Sequence, residues 1–97
     1  ENSTNKKNRK REEAELRAKL KPLTQRCQQI ENQLSQHEEK LISIENELAM
    51  PSIYEDTNKD LLALIIQQQG QLRLTVNRLE TEWLDINEQL EIAHQKE

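Results

Sequence analysis

The sequence has very little of what most catalytic sites require: 97 residues include one glycine, one cysteine, two aromatic residues and no phenylalanine. Gly70 alone cannot build a glycine-rich phosphate loop, which needs several glycines so that the backbone approaches the phosphate closely. Cys27 alone excludes an internal disulfide and any paired-cysteine metal site. No apolar run approaches the roughly 18–20 residues that cross a bilayer. We therefore expect a soluble, cytoplasmic, non-catalytic piece of a larger protein, with no metal and no cofactor of its own.

The residues that are abundant are those of coiled coils. Ala, Glu, Lys, Leu and Arg account for 48 of the 97 residues, and this proportion together with a heptad period is typical of long paired helices. Apolar positions recur at alternating steps of four and three residues, which keeps one helix face toward a partner helix. This hydrophobic seam consists of Leu16, Leu20, Leu23, Cys27, Ile30, Leu34, His37, Leu41, Ile44 and Leu48 in the first half, and of Leu62, Ile65, Gln69, Leu72, Val76, Leu79, Trp83, Ile86, Leu90 and Ala93 in the second.

The two halves of the seam have equal length and complementary phase. Pairing Leu48 with Leu62, and continuing outward along both halves, gives residue-number sums of 109 or 110 at every step. Two helices joined by a short connection fold back antiparallel, and a constant sum is what this arrangement requires. The register places Cys27 opposite Trp83. It also favours pairing within one chain over pairing between chains, so we expect a monomer.

These patterns predict an all-α fold: an antiparallel two-helix coiled-coil hairpin preceded by a short basic helix that is kinked or broken at Pro22. Proline lacks an amide donor and clashes with the preceding helical turn. The predicted segments are a disordered basic tail over residues 1–7, a short basic helix over 8–21 and the hairpin over 22–95, with helices over about 22–49 and 58–94 and a tip over 50–57.

Positive charge is concentrated at the N-terminus. Residues 1–21 contain eight Lys or Arg and four Glu, whereas residues 22–97 contain six and fourteen acidic residues. The cationic run over residues 6–11 either binds a phosphate backbone or keeps the chain in solution. Under the first interpretation, the nucleic-acid-binding candidates are Lys6, Lys7, Arg9, Lys10, Arg11, Arg17, Lys19, Lys21 and Arg26.

Other chemistry-bearing residues have structural interpretations. His37 and His94 fall on different predicted helices without a second ligand nearby, so a metal site is not expected. Cys27 lies in the seam, where a small buried apolar residue is a better interpretation than a nucleophile. Trp83 in the seam and Tyr54 at the tip are expected to pack rather than to stack on bases.

Four segments together resemble one protein family. They are KKNRKREEAELR (residues 6–17), Pro22, NELAMPSIYED (46–56) and EWLDINEQLE (82–91). In this order they resemble the C-terminal domain of the ABC-F ATPases, most closely the YheS-like and then the Uup-like members. The resemblance implies a cytoplasmic parent with two ATP-binding cassettes, ATP and magnesium as its ligands, and an action on ribosomes in translation. It also implies a coiled-coil C-terminal domain, which binds DNA in the Uup-like branch.

Two functions from different classes follow as hypotheses. In the first, the chain is an auxiliary domain that binds ribosomal RNA or DNA, anchored by basic residues near its N-terminal base. In the alternative, it is a protein-interaction rod that docks another protein or the parent's cassettes through the hairpin tip, where Leu61, Leu64 and Ile66 lie off the seam.

Overall fold

The computed structural model describes residues 2–95 of the chain, with side chains from residue 6 to residue 95. Two long helices lie against each other in a rod of 81 × 15 × 15 Å. The elements in order are α1 (Asn2–Leu48), a 3-10 turn (Pro51–Tyr54), a second 3-10 turn (Asp56–Asn58) and α2 (Lys59–Gln95). The predicted all-α antiparallel hairpin is confirmed.

The boundaries within the first half differ from those predicted. α1 runs from Asn2 to Leu48 with Pro22 inside it, so the expected separate helix over 8–21 is the first part of α1. Residues 2–7 of the expected disordered tail are also helical, and Glu1 lies outside the described residues. An interior proline costs a helix about 3 kcal/mol. Leu20 and Leu23 on its two sides are both half-buried, and their shared contact with α2 keeps the helix in phase across the missing hydrogen bond.

The seam is the buried surface of the hairpin. All twenty predicted seam positions are buried or half-buried, including the polar residues His37 and Gln69. Ile30 is the most deeply buried, with 0% of its surface exposed. The 3.5-residue period therefore identified the contact face correctly along the whole length of the pair.

The buried side chains form two clusters, which we call the base cluster and the tip cluster. The base cluster consists of Cys27, Ile30, Leu79 and Ile86, with Leu23, Leu34, Trp83 and Leu90 packed against it. The tip cluster consists of Ile44, Ile53 and Ile65, with Leu48, Leu62 and Leu72 packed against it. Cys27 and Trp83 share one cluster, as the predicted register requires.

The connection between the helices closes the tip cluster. Ile53 is only 8% exposed and packs between the helix ends. The Tyr54 hydroxyl donates a 2.6 Å hydrogen bond to the Leu48 carbonyl oxygen, which is one of the last carbonyls of α1 and has no partner within the helix. The Asn58 side-chain amide donates to the Ser52 carbonyl oxygen at 2.8 Å. The turn is thus fixed by its own hydrogen bonds as well as by burial.

Candidate nucleic-acid interface

The N-terminal part of α1 extends past the described end of α2. Arg17, Leu20 and Lys21 line one groove together with Leu90 and His94, which places the last turns of α2 beside residues 17–21. Every side chain from residue 6 to residue 15 is exposed. We call residues 6–15 the basic overhang, and its ten residues span about 15 Å of helix.

Four cations form a row along one side of α1. Lys6, Lys10, Arg17 and Lys21 are spaced by four, seven and four residues, which are whole helical turns to within a fraction of a residue. All four are exposed. The row begins in the basic overhang, continues beside α2 and spans about 22 Å, with Glu13 and Ala14 between Lys10 and Arg17.

The remaining basic candidates of this segment lie at different positions around the helix. Lys7 lies next to the row, Arg9 and Arg11 lie at its two opposite margins, and Lys19 lies across the helix from it. All four are exposed. The helix thus brings five of the nine candidate cations, the row and Lys7, onto one face.

Acidic residues are arranged unevenly around this part of the helix. Glu12 and Glu15 lie across the helix from the cationic row, while Glu13 borders it. The Arg17 Nε atom donates to the backbone carbonyl oxygen of Glu13 at 3.4 Å, which is a weak bond that leaves the guanidinium accessible. Glu13 is therefore the carboxylate that partly offsets the charge of the row, because it lies three residues from Lys10 and four from Arg17, whereas Glu12 and Glu15 lie too far around the helix to do so.

Arg26, the ninth candidate, is used within the hairpin. Its Nε and Nη2 atoms donate to the Glu82 carboxylate at 2.5 and 2.9 Å, forming a bidentate pair between α1 and α2. The hydrogen bond to Arg26 lowers the pKa of Glu82, and the same bond raises the pKa of Arg26. Arg26 therefore ties the two helices together, and the nucleic-acid surface proposed below does not include it.

A second group of polar contacts surrounds Trp83. Its indole Nε1 donates to Glu31 Oε1 at 3.1 Å, and the Cys27 thiol donates to the same oxygen at 3.5 Å. The Asn87 amide nitrogen donates to the Trp83 carbonyl oxygen at 2.8 Å and to the Cys27 sulfur at 3.6 Å. Burial, followed by the bond to Glu31, raises the pKa of the Cys27 thiol, as suits a packing residue rather than a nucleophile.

The sequence interpretation missed Glu31, Glu82 and Asn87. Each lies at a position flanking the seam, where polar residues contact the partner helix in coiled coils. Arg26 and Glu82 each directly precede a seam residue, Cys27 and Trp83, and those two were already predicted to face each other. The Arg26–Glu82 pair could therefore have been predicted from the sequence once the register of the two helices was applied.

His37 occupies its seam position with an unsatisfied ring atom. Its Nδ1 is buried and has no hydrogen-bond partner among the described residues. Within residues 2–95, no group of three or more His, Cys, Asp or Glu side chains is arranged to hold a metal ion. In the same part of the chain, neither helix has a stretch long and apolar enough to cross a membrane.

Comparisons of the chain with protein families, with curated proteins and with solved structures found no match.

Proposed function

We propose that this chain is a nucleic-acid-binding coiled-coil domain anchored by the basic overhang and the cationic row. Following the resemblance, we assign it as an auxiliary C-terminal domain of a cytoplasmic ABC-F-type ATPase that contacts ribosomal RNA or DNA. ATP hydrolysis, with its ATP and magnesium, belongs to the cassettes of the parent and not to this chain.

The observation that carries the proposal is the row of exposed cations that begins in the basic overhang and continues beside the last turns of α2. A strip of about 22 Å runs beside roughly a dozen phosphates of a duplex. Lysine and arginine release condensed counterions when they neutralise phosphates, and this release supplies sequence-independent affinity. The row offers charge but no arrangement that reads base edges, so the binding has little sequence specificity.

Charge also sets the orientation of the rod. Residues 22–97 contain six Lys or Arg and fourteen Asp or Glu, and this negative field repels phosphate. The hairpin therefore approaches nucleic acid with its base, and its tip points away. Because a C-terminal domain joins its parent at this same base, the anchored base holds the parent next to the nucleic acid and the rod extends away from both.

The test is a salt titration of the chain against labelled RNA and DNA duplexes. Engagement of about five phosphates predicts a slope near −4.5 in a plot of log affinity against log salt. Replacing Lys6, Lys7, Arg9, Lys10 and Arg11 by Gln should remove most of this slope. The matched control replaces cations of the hairpin, Lys40, Lys59, Arg73 and Arg78, by Gln and should leave the slope nearly unchanged. Equal losses in both variants, or no binding at low salt, would refute the proposal.

A second function, protein docking through the tip, is favoured by a separate observation. Among the described side chains, nine large apolar ones are between 47% and 71% exposed, and six of these lie within residues 42–66 around the tip. They are Ile42, Met50, Tyr54, Leu61, Leu64 and Ile66. Apolar side chains gathered in one region mark protein contacts more often than scattered ones do.

This second function is tested by site-specific photo-crosslinking in the full-length parent. A crosslinking residue at Leu64 should capture one protein or one of the parent's cassettes. The same residue at Leu74, which is 71% exposed but lies outside the tip, is the control. Equal capture from both positions would argue against a docking site at the tip.

A further inference from the structure

An open groove lies between α1 and α2 alongside the base cluster, with a volume of about 590 Å³. Leu34 and Trp83 are half-buried and contribute to both the groove and the base cluster. Leu84 lines the groove from α2 and is 62% exposed. These three side chains present apolar surface to solvent away from both the tip and the basic overhang.

Three carboxylates line the same groove. They belong to Glu31 and Glu38 on α1 and to Glu80 on α2, and none of the described Lys or Arg residues lines the groove with them. Within the described part of the chain, none of the three forms an ion pair. Glu31 is held in place because its Oε1 accepts hydrogen bonds from Trp83 and Cys27. The groove thus combines apolar surface with uncompensated negative charge, part of which, at Glu31, is held in place.

We propose that this groove binds a basic amphipathic helix of a partner protein, one that presents a Lys or Arg side chain next to a leucine-like one. The apolar side chain covers Leu84 and Leu34, while the cation meets the carboxylates and the indole of Trp83. Cations are attracted to the face of an indole ring, and complementary charge selects and orients the partner. A phosphate backbone is repelled by the three carboxylates, so this site is separate from the proposed nucleic-acid surface.

Trp83 makes the proposal directly measurable because it is the only tryptophan in the chain. The probe is a synthetic helical peptide with leucines and lysines repeated at three- and four-residue spacing. One control peptide keeps the lysines and replaces the leucines by serine, and the other keeps the leucines and replaces the lysines by glutamate. Only the first peptide should change the Trp83 emission at low concentration.

Variants of the chain then locate the binding. Leu84→Ala should weaken binding about tenfold, the loss expected when one leucine contact is removed. Glu38→Gln combined with Glu80→Gln should weaken binding and reduce its salt dependence. The matched controls are Leu74→Ala, and Glu39→Gln combined with Glu88→Gln, all at exposed positions that do not line the groove. Since Leu84, Glu38 and Glu80 are exposed, these variants should have the same helical circular dichroism spectrum as the unsubstituted chain.

Several results would overturn the proposal. If the peptide with serines bound as tightly as the peptide with leucines, charge alone would account for the binding. Equal weakening by Leu84→Ala and Leu74→Ala would show that the groove is not the site. A dimer of the chain alone, detected by sedimentation and abolished by Leu84→Ala, would identify a second copy as the occupant. A change in Trp83 emission when duplex RNA is added without peptide, abolished by Leu84→Ala, would assign the groove to nucleic acid.

Discussion

The base cluster and the tip cluster are halves of one seam, yet they are held together in different ways. Around the base cluster, side chains bond across the helices: Arg26 to Glu82, and Trp83 to Glu31. Around the tip cluster, no described side chain makes a hydrogen bond between α1 and α2. There the turn itself places Ile53 in the core.

The difference follows from distance along the chain. Residues near the turn are brought together by a short connection, and the entropy lost in closing it is small. Arg26 and Glu82 are separated by 56 residues, so the turn does little to fix their register. The bidentate contact between Arg26 and Glu82 therefore fixes the register at this end of the hairpin, which the connection cannot do. We infer that the far end of such a hairpin depends on specific pairs, whereas the near end depends on burial.

The stretch between the two clusters contains three residues that weaken a paired helix. His37 has a buried, unsatisfied Nδ1, Gln69 is a polar seam residue, and Gly70 follows it within α2. An unsatisfied polar group costs about 1–3 kcal/mol, and glycine costs about 1 kcal/mol relative to alanine in a helix. These features favour partial independence of the two clusters.

The largest expected effect comes from truncating the core of one cluster. Ile30→Ala removes the most deeply buried side chain and should lower the free energy of unfolding by about 3–4 kcal/mol. Ile65→Ala in the tip cluster, at 4% exposed, should cost a similar amount. Amide hydrogen exchange should show protection lost mainly around the truncated cluster.

Ile42→Ala is the control for both truncations, because Ile42 is 58% exposed and its loss should be nearly neutral. Uniform loss of protection along the whole rod in either core variant would contradict the two-cluster comparison. It would show that the hairpin unfolds as a single unit.

Replacing the polar seam residue between the clusters should have the opposite sign. His37→Leu removes the unsatisfied Nδ1 and adds apolar contact, so it should raise the free energy of unfolding by about 1–2 kcal/mol in chemical denaturation. It should also couple the clusters, so that exchange protection rises on both sides. His37→Gln retains a polar side chain and should give no such gain. Destabilisation by leucine would show that His37 has a favourable role in the seam.

Gly70→Ala tests the helix backbone at the same point. Apart from its own helix backbone and chain neighbours, no atom lies within 4 Å of the position that a Cβ would take at Gly70, and Gly70 does not have a positive φ. The change should therefore stabilise α2 by about 1 kcal/mol, measured as a rise in Tm. Gln67→Ala, at a nearby exposed position, is the control and should change Tm less. A lower Tm for Gly70→Ala would indicate that the rod needs a flexible point there.

The smallest effect is expected from the ion pair, and it depends on pH. The pKa of Glu82 is lowered by Arg26, so the pair contributes stability above the unfolded-state pKa of about 4.3 and loses it as the pH falls through the folded value. Wild type should therefore have a higher Tm than Glu82→Gln at pH 7, and the difference should vanish in strong acid. Glu88→Gln, on the exposed surface, is the control. A difference that persists unchanged in acid would mean that the carboxylate charge is not what ties the helices.

The sequence alone determined the all-α fold, the seam and the register, because a heptad repeat has one buried face and a constant pairing sum has one antiparallel solution. It also indicated that positive charge is concentrated in the first 21 residues. It did not determine what happens at Pro22, because the cost of one proline is local while the packing that opposes it comes from α2.

Only the tertiary structure decided which charged residues are paired within the hairpin and which remain exposed for binding. Arg26 carries the same charge as Lys21, yet it faces Glu82 across the hairpin while Lys21 remains on the exposed row. Glu31 likewise resembles any other exposed glutamate until Trp83 is placed beside it. The role of a charge depends on its neighbours in space, and residues more than fifty positions apart become neighbours only when the hairpin closes.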